Sequence, residues 1–273
     1  MNSFAKILTL IVLLTLALTA CAAPATPAPT DPPAVPTATV PAVTDISLTD
    51  GLDRTVTLPA PAQRIVSLAP SNTEILYAVG AGEQVIGRDD FSNYPEAALE
   101  LPSVGGSMNE YNLEQIVSLQ PDLVLAAELN TPDQVRALEE LDLTVFYLSN
   151  PTDIEGVYAM LRTVAALTGH TAETEELIAS LEARVAAVQA QVAGVEDRPV
   201  VFYELDGSEP NKPWTAGPGT FIDLLIVMAG GQNAAAQMGG QWGQISQEEL
   251  LVQNPDVILL GDAAYGVTPE QVA

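Results

Sequence analysis

Asn112-Leu113-Glu114-Gln115-Ile116-Val117 is followed two residues later by Gln120-Pro121-Asp122-Leu123-Val124-Leu125. The pair returns as Ser246-Gln247-Glu248-Glu249-Leu250-Leu251 and Asn254-Pro255-Asp256-Val257-Ile258-Leu259, at an offset of 134. Both copies read as a polar cap, a short helix, a proline-marked turn and a buried apolar strand. Outward from this stretch the repeat continues. Arg64-Ile65-Val66-Ser67-Leu68 is echoed by Arg198-Pro199-Val200-Val201-Phe202 at the same offset, and Ala78-Val79-Gly80-Ala81-Gly82 matches Val227-Met228-Ala229-Gly230-Gly231 at 149. The second copy thus carries 15 extra residues before its glycine pair and 15 fewer after it. Two copies of one unit mean two lobes. Strands alternating with helices give each a mainly parallel sheet, so the fold class is α/β.

The remaining elements attach to this frame. Ile46-Ser47-Leu48 and Thr55-Val56-Thr57-Leu58 flank a Thr49-Asp50-Gly51 turn, which predicts a hairpin. Helix starts are expected at Ser71-x-x-Glu74, Thr131-Pro132-Asp133-Gln134 and Thr152-x-x-Glu155. Between the copies, residues 152–192 read as two helices broken at Gly169-His170. In the second, Ile178, Leu181, Val185, Val188 and Val192 form one apolar stripe. Residues 172–193 would make a helix about 33 Å long at 1.5 Å per residue, enough to brace one lobe against the other. A surface helix within one lobe is the plainer alternative. The division expected is a leader at 1–20, a tether at 21–44, lobes at 45–150 and 195–273, and bridging helices at 151–194. Thr268-Pro269-Glu270-Gln271-Val272 repeats Thr131-Pro132-Asp133-Gln134-Val135. On that alignment the C-terminal lobe is incomplete, lacking a helix, a strand and a closing helix.

The N-terminus addresses the compartment. Residues 7–20 are apolar apart from threonine, too short to span a bilayer comfortably and the right length for a signal-peptide core. They end in Leu18-Thr19-Ala20-Cys21, which resembles the lipobox of bacterial lipoproteins. The resemblance implies that Cys21 is acylated and becomes the mature N-terminus; an ordinary signal peptide with a chance cysteine is the alternative. Residues 22–44 are rich in Pro, Ala and Thr, the composition of an extended tether. A lone cysteine that carries lipid leaves no disulfide.

Charge excludes whole classes. Loss of Lys6 with the leader leaves eight basic side chains against 35 acidic ones. That surface repels nucleic acid and anionic lipid. A lone His170 in an inter-helix break, and no Ser-His, HExxH or P-loop pattern, leave neither a metal site nor an active site, so no cofactor and no enzyme activity are expected.

The stretches Arg64-Ile65-Val66-Ser67-Leu68-Ala69-Pro70-Ser71-Asn72-Thr73-Glu74, Val85-Ile86-Gly87, Ser92-Asn93-Tyr94-Pro95, Asn112-Leu113-Glu114, Pro213-Trp214-Thr215-Ala216-Gly217, Gly230-Gly231-Gln232-Asn233 and Ser246-x-Glu248 resemble the helical-backbone periplasmic binding proteins for cobalamin and iron–siderophore chelates. The resemblance runs from about residue 45 to the end. It implies two α/β lobes joined by one long helix (the class III fold), little hinge motion, and delivery of a metal chelate to the permease of an ABC importer. It also implies a monomer anchored outside the cytoplasmic membrane.

Tyr94, Trp214 and Trp242 fall in expected loops, where a large aromatic is a candidate ligand contact. An aromatic, uncharged cleft suits a flat or bulky chelate. In the cobalamin binders, the resemblance implies, aromatics at these three positions touch the corrinoid. Met108 and Ala127 stand where such relatives carry other contacts, Met108 near a tryptophan position. Siderophore binders offer arginines, and only Arg88 lies near the cleft loops. Ser71 and Asn72 open a helix whose free N–H groups are expected to face the cleft, with Thr220 the second-lobe equivalent; capping alone is the alternative. Asn112 and Ser246 are the expected caps of the repeated short helix. Glu114 and Glu248 then sit at its second position with no capping duty, and the resemblance implies that they dock on arginines of the permease. The corresponding alternative is a helix-dipole role. A ferric siderophore ligand, or a sensory or structural lipoprotein with the same fold, remain the alternatives to cobalamin transport.

Overall fold

The computed structural model describes residues 45–106, 110–263 and 266–268. The leader, Cys21, the tether and the Pro269–Val272 part of the C-terminal repeat lie outside the described residues. Val43–Ala273 forms one unit.

The expected hairpin is present: β1 (Ile46–Thr49) pairs antiparallel with β2 (Thr55–Leu58). The first lobe is a parallel sheet in the order β4-β3-β5-β6, formed by β3 (Ile65–Ser67), β4 (Val85–Arg88), β5 (Leu123–Ala127) and β6 (Val145–Leu148). Parallel strands need both faces covered, and the alternation of side chains delivers this. Ile65, Leu123, Leu125 and Phe146 pack on one side with Leu76, Leu161 and Leu167. Val66, Val124, Ala126 and Tyr147 pack on the other with Ile116, Val135 and Leu138. The helices supplying these residues are α1 (Pro70–Ala78), α2 (Leu113–Ser118), α3 (Pro132–Glu139) and α4 (Ile154–Thr168).

Two of the expected helix starts move. Pro70 takes the first helical position of α1, where its missing N–H costs nothing. Ala69 is then the cap residue and makes no side-chain cap, so Ser71 is already inside the helix. Helix α4 is capped by Asp153, whose carboxylate accepts from Gly156 N at 2.7 Å, rather than by Thr152. The capping box at Thr131 is formed as expected, with Gln134 answering the Thr131 backbone.

The second lobe repeats the plan with changes. Its sheet runs β10-β8-β7-β11, with β9 also on β7, from β7 (Val200–Asp206), β8 (Trp214–Ala216), β9 (Gln232–Asn233), β10 (Trp242–Gln244) and β11 (Val257–Leu260). β7, β9 and β11 are parallel, whereas β8 and β10 form an antiparallel flap. Helix α6 (Phe221–Met228) covers Val201 through Ile222 and Ile226; α7 (Gln247–Gln253) lies on the opposite face, where Leu250 meets Phe202.

The strand register corrects the sequence alignment. In the first lobe Asp122 accepts from Arg64 N and its own N–H donates to Arg64 O. In the second, Asp256 makes the same pair of bonds with Val200. Arg64 therefore corresponds to Val200, two residues beyond the Arg198 match. The glycines shift by one: Gly80 and Gly230 both hold positive φ (93° and 87°) and end α1 and α6 with the same bonds.

Those equivalent glycines seat the long helix α5 (Thr171–Val192). A Cβ on Gly80 would lie 3.3 Å from Nδ1 of His170, the residue capping α5, and one on Gly230 would lie 2.9 Å from Cβ of Val192 at its far end. Ile178 is buried in the first lobe's core. The helix thus starts against one lobe and finishes against the other, and His170 is a helix-end residue.

Candidate functional site

In parallel α/β sheets ligands bind beyond the carboxyl ends of the strands, and in the first lobe Ser71 and Tyr94 follow the ends of β3 and β4. After β4 the chain turns at Asp89, which is buried and anchors the following loop. Its carboxylate accepts from Phe91 N at 3.0 Å and from the Ser92 hydroxyl. Ser92 is also bonded at 2.8 Å to Thr73 of α1, whose hydroxyl donates to Ser67 at the end of β3. This buried chain of hydroxyls fixes the loop that presents Tyr94, which is 66% exposed. A second tie joins three segments: the Tyr111 hydroxyl donates to Leu68 O at 3.0 Å and accepts from Asn130 Nδ2 at 2.7 Å, while Asn130 Oδ1 accepts from Ala127 N. Burial raises the Tyr111 pKa, so the phenol stays protonated and able to donate.

Ser71 and Asn72 separate. Ser71 is exposed at an uncapped helix start with no acidic residue in its first turn. Asn72 is 1% exposed and donates to Leu125 O, so its side chain points into the lobe and not toward a ligand. Thr220 is likewise buried and occupied, accepting from Asp223 N and donating to Gly217 O. Ala127 is buried at the end of β5. Met108 lies outside the described residues.

Trp214 and Trp242 are not in loops, as the sequence reading had them, but on the short strands β8 and β10. Trp242 faces Ala216 and Gln244 faces Trp214 across the antiparallel pair. Cross-strand partners and residues two apart share a face, so both indoles stand on the same side. They are 41% and 45% exposed. Phe221, at the first turn of α6, extends the strip: its ring centroid is 6.3 Å from that of Trp242 at 58°, a tilted aromatic contact. Phe221 also borders an apolar groove of about 320 Å³ with Pro151, Ile154, Val157, Leu224 and Leu225. The sequence reading missed Phe221 because Phe221–Met228 is apolar apart from Asp223, close to the pattern of a core helix. Among the described residues Tyr94 makes no ring contact with the second lobe's aromatics.

Arg88, at the end of β4, is committed. Its guanidinium donates to Ala98 O at 2.9 Å and Asp89 O at 2.8 Å. Glu114 and Glu248 occupy the second positions of α2 and α7, exposed. Asn112 and Ser246 cap those helices by accepting from Gln115 N at 3.0 Å and Glu249 N at 3.1 Å.

Two α/β lobes on one bridging helix, with an aromatic strip on the second, are the architecture of a solute-binding protein. The periplasmic binding protein family matches residues 65–272, and this chain belongs to it. An uncharacterized ABC transporter substrate-binding lipoprotein of Bacillus subtilis is 29% identical over 234 residues, 84% of this chain and 73% of that relative. A cobalamin-binding protein of Halobacterium salinarum is 34% identical over 220 residues, 79% of this chain; the match spans 58% of that relative's length. The crystal structure of a periplasmic vitamin B12 binding protein from Vibrio cholerae is 28% identical, with 77% of this chain and 82% of that one aligned at a TM-score of 0.64. A periplasmic heme-binding protein from a Roseiflexus species is 31% identical, with 75% and 80% aligned at 0.66. No helix among the described residues is long and apolar enough to cross a membrane.

Proposed function

We propose that this chain captures a cobalamin-like corrinoid between its lobes and hands it to a membrane permease, working as a monomer held outside the membrane by lipid on Cys21. The division proposed is a leader at 1–20, a tether at 21–44, lobes at 45–150 and 195–273, and bridging helices at 151–194. The observation that carries the ligand assignment is the Trp214–Trp242–Phe221 strip: three aromatic rings, half exposed, on one continuous surface. Such a surface favours a large flat ligand through apolar area and stacking. A ferric siderophore with anionic donors would need a cation, and Arg88 is already spent on backbone carbonyls. The cobalamin-binding relatives support the reading.

One other reading has an observation behind it. The heme-binding structure is 31% identical, and Tyr94 offers an exposed phenol of the kind that ligates heme iron. Glu114 and Glu248, one per lobe on equivalent helices, are proposed as the permease-docking pair. A sensory or structural lipoprotein would keep the fold and bind no chelate.

The chain has two tryptophans, both in the strip. Titration of their fluorescence with cyanocobalamin, hemin, and ferric catecholates and hydroxamates separates these readings. Saturable quenching by cobalamin at the lowest concentration supports the proposal. Hemin binding with a Soret shift lost in Tyr94→Phe would replace it, as would tight siderophore binding. No response to any chelate points to the non-transport lipoprotein.

A further inference from the structure

At the cleft end of the second lobe two acids are buried without a base. Glu204, on β7, is 4% exposed, and Asp262, just past β11, is 7% exposed. Glu204 Oε1 and Asp262 Oδ1 are buried and have no hydrogen-bond partner. The two side chains meet over Gly207, where a Cβ would lie 2.6 Å from Glu204 Oε1 and 3.4 Å from Asp262 Oδ2. Gly207 is needed there because any side chain would enter the space between the acids. Its N–H donates to Asp262 Oδ2 at 2.7 Å, which fastens the start of the loop leading to Trp214.

The surroundings are mostly acidic or neutral. β7 adds Asp206, whose carboxylate accepts from Ser208 N, and the Tyr203 phenol, which sits over Gly261. β8 and β9 bring Trp214, Thr215, Ala216, Gln232 and Asn233, none charged. Helix α7, on the Phe202 and Glu204 face, brings Glu248 and Glu249. The loop carries Glu209 and Lys212, and among the described residues no ion pair reaches Glu204 or Asp262. Two like charges desolvated side by side cannot both persist. A water or metal ion would need exposed oxygen surface to occupy, and these two atoms present none. A proton needs no such room.

We propose that Glu204 keeps its proton beside Asp262, and that this acid pair is a pH-sensitive latch holding the loop that presents Trp214. Burial first, then Asp262 and Asp206, raise the Glu204 pKa, in the direction the geometry requires. The sign follows. An acid whose pKa is raised on folding stabilises the fold at low pH. That support is lost as pH climbs from the ordinary glutamate range through the raised value. Above it the two charges repel, and the Gly207 tether slackens where the ligand strip begins.

The test follows Tm and the emission of Trp214, isolated by Trp242→Phe, against pH in the full chain. The parent protein should lose Tm as pH rises above the ordinary carboxylate range, with a Trp214 emission change over the same interval. Glu204→Gln should abolish both and raise Tm by a few degrees at the alkaline end. Should Glu204→Gln fail to fold, the infrared carbonyl stretch of a protonated carboxylic acid in the parent protein at neutral pH serves instead. Its presence supports the proton on Glu204, and its absence overturns it. A pH profile unchanged in Glu204→Gln, or a Tm that falls on chelation of calcium at fixed pH, would overturn the proposal too. Neither readout depends on which chelate the protein carries.

Discussion

Asp50 shows how much one residue can hold. Its buried carboxylate accepts from the backbone N–H of Leu52 and Arg54 at 3.0 Å, from Tyr147 N of β6 at 3.2 Å and from the Arg54 guanidinium. It therefore closes the β1–β2 turn and pins the hairpin to the first lobe. Burial alone would raise its pKa; the Arg54 side chain and the three backbone donors outweigh this and lower it below the usual 3.8. Such an acid contributes stability above the unfolded pKa, lost as pH falls through the depressed folded value. Asp50→Ala should cost about 2–4 kcal/mol, as expected for a buried charge with several donors left unpaired. Calorimetry against pH should show the gap between parent and Asp50→Asn fully open near neutrality and closing only below the ordinary carboxylate range. A gap that instead widened toward low pH would contradict the assignment. Asp50 and Glu204 thus respond to acid in opposite directions, because one is surrounded by donors and the other by acids.

The repeated elements α2 and α7 carry the docking proposal. Both are one-cap helices whose second residue is an outward glutamate, and neither glutamate helps form its cap. Glu114→Arg with Glu248→Arg should leave chelate affinity and Tm nearly unchanged, since exposed charges are worth little to folding. The same double variant should reduce uptake through the permease by at least about tenfold if each lost pair is worth over 1 kcal/mol. Undiminished uptake would return both residues to a helix-dipole role. At this scale the sequence was legible where chemistry is local. The caps at Asn112, Thr131 and Ser246, the β1–β2 hairpin and the span of α5 needed only their own residues. It misled where a shift leaves the pattern unchanged. Moving the β7 alignment by two residues keeps every inward side chain inward, so periodicity carries no record of the slip; only the Asp122–Arg64 and Asp256–Val200 bonds reveal it. β8 and β10 have three residues each, too few to alternate visibly, and Trp214 and Trp242 therefore read as loop aromatics.

Across the whole molecule the two lobes share a plan but bury unequal cores. Among the described residues the first lobe packs 17 and 10 buried residues on the two faces of its sheet, α4, α5 and the hairpin included, against 4 and 3 in the second. At about 1.5–3 kcal/mol for each large side chain buried, that difference dominates any set of surface contacts. The equivalent strands make the contrast concrete: β5 is buried along its whole length and flanked by β3 and β6, whereas β11 has one neighbour among the described residues and leaves Val257, Ile258 and Leu259 half exposed. Local opening should therefore begin in the second lobe. Hydrogen exchange read by mass spectrometry is expected to show peptides spanning β7 and β11 exchanging well before those spanning β3 and β5. The C-terminal end of α5, tied to the second lobe through Val192 and Gly230, should follow the faster set, and its first turns, tied through Ile178 and His170, the slower. A chelate bound across both lobes is then felt unequally. Binding stabilises whatever unfolds with the site, so saturating ligand should slow exchange at β7, β8 and β10 far more than at β3 and β5. Equal slowing in both lobes would mean that the long helix couples them into one cooperative unit, and protection confined to the first lobe would place the ligand away from the Trp214–Trp242–Phe221 strip.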